Sequence, residues 1–96
     1  MSALRFDWDP KKAEANVRKH GVSFEEAETV FYDEHALEED DLDEGEERFV
    51  LVGMSSALRL LVVCYCLRDR GTVIRIISAR RAVKHEAEQY RARLKR

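Results

Sequence analysis

A chain of 96 residues holds one domain with one modest core, and 45% hydrophobic against 38% charged residues describes a packed interior beneath a heavily solvated surface. No apolar run approaches the roughly 20 residues of a membrane span, and the opening Met1-Ser-Ala-Leu-Arg-Phe-Asp-Trp8 lacks the apolar stretch of a secretory signal. A cytoplasmic protein without membrane contact is therefore expected. The net charge of −2 conceals a split, with ten acidic and one basic residue from Asp33 to Arg48 but ten basic and three acidic from Arg68 to Arg96. The second part of the chain has the charge to hold a polyanion.

Leu4, Phe6 and Trp8 alternate with Arg5 and Asp7, which predicts a strand over Ala3 to Trp8. Asp9-Pro10 supplies a helix N-cap and a proline at the first helical position. That helix runs to His20, where Gly21 suits a left-handed stop. Ser23 and Glu26 have capping-box spacing and open a second helix to Tyr32 that buries Phe24, Ala27, Val30 and Phe31. His35–Glu38 is a weak strand, and Asp40–Glu47 is an acidic exposed turn. Arg48–Met54 and Arg59–Leu67 are strands apolar on both faces. Asp69-Arg70-Gly71 turns the chain into a third strong strand, Thr72–Ser78. From Ala79 to Lys95 the pattern is helical, with Val83, Ala87, Tyr90 and Leu94 along one stripe. The order β-α-α-β-β-β-β-α describes a single α+β domain over residues 1–96. Its sheet is expected to be an antiparallel meander with helices packed on one face and the other face open.

Arg75 stands mid-strand in Val73-Ile-Arg-Ile-Ile77, on the face opposite Ile74 and Ile76. There its guanidinium either grips a phosphate or pairs with a structural acid. Arg80 and Arg81 follow at a strand-to-helix junction, a place that favours anions. Lys19-His20 closes the first helix, and His20 is either a proton carrier or a cap stacked on the core. Metal-free RNA cleavage needs a proton acceptor for the 2′-OH, cations for the developing charge and a proton for the leaving oxygen. His20 or Lys19, with Arg75 and Arg80, can supply them if they meet beside the open face. Arg81, Lys84 and Tyr90 are candidate RNA contacts, although Tyr90 also belongs to the apolar stripe and Arg81 suits a protein partner or solvent. His35 and His85 read as surface residues. Cys64 and Cys66 read as small apolar residues. No Cys/His set has zinc spacing and no glycine-rich loop suits a nucleotide, so neither metal nor cofactor is expected.

Three segments together carry a resemblance: Phe6-Asp-Trp-Asp-Pro through Lys19-His-Gly-Val-Ser-Phe-Glu-Glu-Ala27, Glu46-Glu-Arg-Phe-Val-Leu-Val-Gly-Met-Ser55, and Ile74-Arg-Ile-Ile-Ser-Ala-Arg80. The chain resembles the BrnT toxins of type II toxin–antitoxin systems over nearly its whole length. The resemblance implies a RelE-like fold, RNA cleavage that blocks translation, and neutralisation by a BrnA-type antitoxin. Operator DNA would be met only through that antitoxin, in an assembly such as 2:2. Its basic and polar positions match Lys19, His20, Arg75 and Arg80. Many relatives carry a histidine in the acidic loop, where this chain reads Asp41-Leu-Asp-Glu-Gly45 and has none. That departure supports an alternative, a toxin-fold protein of weak or no catalysis that serves as antitoxin partner and co-repressor. Gathering of His20, Arg75 and Arg80 in one cleft favours the nuclease; a spread beyond about 10 Å favours the binding protein.

Overall fold

The computed structural model describes residues 4–41 and 47–95. Its elements are β1 (Phe6–Asp7), α1 (Pro10–His20), α2 (Phe24–Thr29), β2 (Leu37–Asp41), β3 (Arg48–Met54), β4 (Leu60–Arg68), β5 (Val73–Arg81) and α3 (Lys84–Leu94). Asp9 caps α1 by accepting the Lys11 N–H at 2.8 Å, and Pro10 stands where a missing N–H costs nothing. Gly21 ends α1 at φ 69°, a left-handed conformation that glycine adopts without steric cost. The Ser23 hydroxyl accepts the Glu26 N–H at 3.0 Å and starts α2. The expected second helix tightens after Thr29 into a 3-10 turn over Val30–Tyr32.

The sheet order is β1-β5-β4-β3-β2. Strands β2 to β5 form the expected antiparallel meander. At the edge, β1 runs parallel to β5 through Phe6–Ile74 and Asp7–Arg75, which makes the sheet mixed. Between the Cys64–Ser78 and Tyr65–Ile76 pairs β5 carries one extra residue, Ile77. This bulge reverses the alternation of the strand, so Ile74 and Ile76 share a face with Ala79.

On that first face, Val22, Phe24, Ala27 and Val30 pack against Leu51, Leu61, Val63, Tyr65, Ile76 and Ala79. A Cβ at Gly53 would lie 2.9 Å from Val30 Cγ1, so glycine permits the close approach of the 3-10 turn to β3. On the second face Tyr90 of α3 packs on Val52 and Val62, ringed by Leu37, Val50, Met54, Leu60 and Ala82. The expectation of helices on one face only is thus corrected. Strands that are apolar on both sides need a cover on both, and α3 supplies the second. The expected helix start at Ala79 is also displaced, because Ala79, Arg80 and Arg81 pair with Val63, Val62 and Leu61 as strand. Likewise Asp40 and Asp41 extend β2 rather than a turn, and the remainder of that expected turn, 42–46, lies outside the described residues, as does Ala3 of the first strand.

Buried Asn16 fastens α1 to β5. Its amide donates to the Val22 carbonyl at 2.9 Å and the Ala79 carbonyl at 2.7 Å, and it accepts the Ala79 N–H at 3.1 Å. Past the short β1, one side chain thereby satisfies the backbone of an edge strand.

Candidate active site

The second face of the sheet has two ends. At one, α3 covers Val52, Val62 and Arg80; at the other lies Arg75. Because of the bulge, both arginines project to this face although they are five residues apart. Strand rise puts their Cα atoms roughly 15 Å apart. Arg75 Nη1 donates to Asp7 Oδ1 at 3.2 Å, with the two side chains 34% and 51% exposed. Arg80 Nη1 and Nη2 bind Glu86 Oε1 and Oε2 at 2.9 and 2.8 Å, and the Glu86 side chain is only 16% exposed. Glu86 Oε1 also accepts the Val83 N–H at 2.8 Å, which secures the first turn of α3. The Arg80 hydrogen bonds hold the Glu86 carboxyl below its ordinary pKa, against the opposing effect of burial. The two guanidiniums are thus tethered apart, to different elements.

His20 ends α1 half-buried, beside exposed Lys19. It follows Asn16 by one helical turn on the same side of the helix. Since Asn16 clasps Ala79, His20 lies toward the Arg80 end of β5 rather than the Arg75 end. Arg81 projects to the first face. There its charge is one of the lesser influences on Glu26, whose carboxyl is held low mainly by the Arg59 hydrogen bonds. Lys84 is exposed at the start of α3. Tyr90 is 3% exposed, and its hydroxyl donates to Asp33 Oδ2 at 2.6 Å. Burial, then this bond, pushes the phenol up to about 12. Its ring belongs to the second core and leaves no face for a base, so it is set aside as an RNA contact. His35 and His85 are exposed. Cys64 and Cys66 are not joined in a disulfide. Among the described residues no His, Cys, Asp and Glu side chains gather as metal ligands, and no helix is long and apolar enough to cross a membrane.

Sequence reasoning did not find Asp7 as the partner of Arg75. The strand alternation already set Asp7 opposite Phe6 and Trp8, but only the parallel pairing of β1 with β5 brings it to Arg75. Asp33 was equally hidden. It accepts the Met54 N–H at 2.8 Å and the His35 N–H at 3.0 Å as well as the Tyr90 hydroxyl. Burial alone would raise its pKa, and these donors hold it below the ordinary value.

The segments that build this arrangement match a family model. Residues 8–86, from just past β1 into α3, match the model described as ribonuclease toxin, BrnT, of type II toxin–antitoxin system. The chain belongs to the BrnT family. A structural search found the Brucella abortus ribonuclease toxin BrnT, at a TM-score of 0.67 and 21% identity, covering 85% of this chain and 100% of the Brucella chain. At that identity the likeness concerns the fold, a BrnT-type α+β domain. A search of curated proteins found no match. As a BrnT-family protein the chain is a member of a ribonuclease toxin family whose systems include an antitoxin.

Proposed function

We propose that this BrnT-family protein is a cytoplasmic, metal-independent endoribonuclease that inhibits translation and is neutralised by a BrnA-type antitoxin. The reaction is attack of a ribose 2′-OH on the adjacent phosphorus with loss of the 5′-oxygen, leaving a cyclic phosphate. Arg75 stabilises the charge that develops on the phosphoryl oxygens. His20 and Lys19 lie toward the Arg80 end of β5 and do not reach a phosphate at Arg75, so the 2′-OH proton passes to water and the leaving oxygen takes one from water. Arg80, fixed by Glu86, orients the β5–α3 junction and with Arg81 and Lys84 offers positive charge to flanking phosphates of the strand. The antitoxin covers the open end of the second face and the basic α3.

One observation carries this reading. Arg75 is held by one 3.2 Å contact to a half-exposed carboxylate. An exposed pair of that kind is worth about 0–1 kcal/mol, so a phosphate that offers two oxygens displaces Asp7 at little cost. Expressed without an antitoxin, the chain is expected to halt growth and fragment RNA. Arg75→Ala at equal abundance is expected to do neither, and purified Arg75→Ala to cleave RNA about a hundredfold more slowly. Undiminished toxicity of the variant would remove Arg75 from the mechanism.

A second reading, an antitoxin partner and co-repressor without catalysis, is favoured by the roughly 15 Å spread of Arg75 and Arg80 along β5, beyond the about 10 Å that one phosphate could bridge, and by their pairing with carboxylates of the same chain. It is distinguished by a wild-type chain that binds its antitoxin yet neither arrests growth nor cuts RNA.

A further inference from the structure

The strand register sets a second arginine beside Arg75. Cys66 of β4 is the paired partner of Arg75. On the other side of β4, Phe49 of β3 pairs with Tyr65, and one step further the same antiparallel register puts Arg48 opposite Cys66. Phe49 packs in the first core, so Arg48 projects to the second face. Arg48, Cys66 and Arg75 therefore form one row across three adjacent strands. With strands about 4.8 Å apart, the two arginine Cα atoms are roughly 10 Å from each other, within reach of one tetrahedral anion held between their side chains.

Cys66 is 8% exposed and Val73 6% exposed, so the row rests on closed packing. A depression of about 190 Å³ at the end of β4 is lined by Glu47, Cys66, Leu67 and Arg68; neither Arg48 nor Arg75 lines it, so the clamp rests on the strand register and not on this depression. Arg68 pairs with Val73 one step outside the row and is exposed, on the same face as Cys66. The α3 helix packs over Val52 and Val62, two register steps or more away. Both arginines already have a partner within the chain, Asp7 in the case of Arg75, so an anion binds here by exchange.

We propose that Arg48 and Arg75 form a two-arginine clamp for one phosphate group above Cys66, with Arg68 at its entrance. The proposal deepens the ribonuclease reading, since the phosphate it names is that of the RNA strand. It replaces a single charged residue with two planar forks that approach the anion from opposite sides, which fixes the orientation of the phosphate as well as its position.

Two titrations of the purified chain test it, one with inorganic phosphate and one with a short single-stranded RNA carrying 2′-O-methyl groups that block cleavage. Phosphate is expected to shift the Arg48 and Arg75 Nε–H resonances with a common midpoint. Arg48→Ala and Arg75→Ala are each expected to weaken RNA binding about tenfold, the loss of one charge-assisted contact. The double variant should lose less than the product, because both act on one phosphate. Arg48→Lys, which keeps the charge and the fold but not the fork, should restore binding only in part. Lys12→Ala, exposed on α1, should stay within about twofold of wild type. If phosphate moves neither resonance, or Arg75 alone, the clamp is overturned. The clamp also falls, with the ribonuclease reading left standing, if Arg48→Ala binds RNA like wild type while Arg75→Ala does not. If phosphate moves both resonances but the RNA does not bind, the clamp holds as an anion site and the ribonuclease reading falls.

Discussion

Arg75 and Arg80 are the same residue type on the same strand and the same sheet face, yet they do different work. Arg80 lies under α3, locked in a two-bond pair with a largely buried glutamate that also caps the helix. Arg75 lies beyond α3, held by one contact to a half-exposed aspartate. Charge alone does not separate a structural arginine from one available to a ligand. Burial of the partner carboxylate, and the number of bonds that must break to free the guanidinium, do separate them.

Three substitutions at the two ends of this face test that contrast. The largest expected effect is Arg80→Ala, which leaves the Glu86 carboxylate without its counterion and should cost about 2 kcal/mol by chemical denaturation. Its pH signature is specific. Glu86 has a folded pKa below the ordinary 4.5, so its contribution is complete above pH 4.5 and is lost as pH falls through the lower folded value. Arg80→Ala should therefore flatten the acid side of the stability profile, and an unchanged acid limb would show that the pair is not structural. Tyr90→Phe comes next, at about 1 kcal/mol for a lost hydrogen bond to a carboxylate that keeps its Met54 N–H partner. The phenol is raised from 10 to about 12, so its contribution holds below pH 10 and fades as pH rises toward 12. Tyr90→Phe should soften this alkaline loss only in part, because Tyr65, also raised chiefly by burial and then by its bond to Glu38, shares it. The smallest effect is Asp7→Asn, expected to alter stability by no more than about 0.5 kcal/mol while RNA binding tightens. A loss of stability as large as that of Arg80→Ala would erase the distinction between the two ends.

Much of the frame could be read from local chemistry. The Asp9-Pro10 start, the Gly21 stop and the Ser23 cap fix α1 and the start of α2 within a few residues, because caps act on their own backbone, although the other half of the expected capping box does not form, since the Glu26 carboxylate turns to Arg59 and Ser55. The segments of β3, β4 and β5 were equally legible as apolar runs, although β5 extends three residues past its expected end. The site was less legible. Arg75 was found by its place in a strand, but Asp7, Arg48 and Cys66 join it through register, which no single segment encodes. Tyr90 illustrates the opposite case. Its stripe spacing named it as core and its company of basic residues named it as a contact, and packing against Val52 and Val62 decides for core.

By itself the sequence determined where α1 begins and ends, where α2 begins, the central runs of β3, β4 and β5, that four strands form a meander, and which part of the chain carries the positive charge. These follow from hydrogen bonds and side-chain periodicities confined to a few neighbouring residues. The tertiary structure alone decided that α3 covers the second face, that β1 lies parallel against β5, and that the bulge at Ile77 turns Arg75 and Arg80 to the same side. Plain alternation would set residues five apart on opposite faces. Only the pairing of β5 with β4 can place an extra residue between them, since a bulge is a mismatch between two strands and is absent from either one alone.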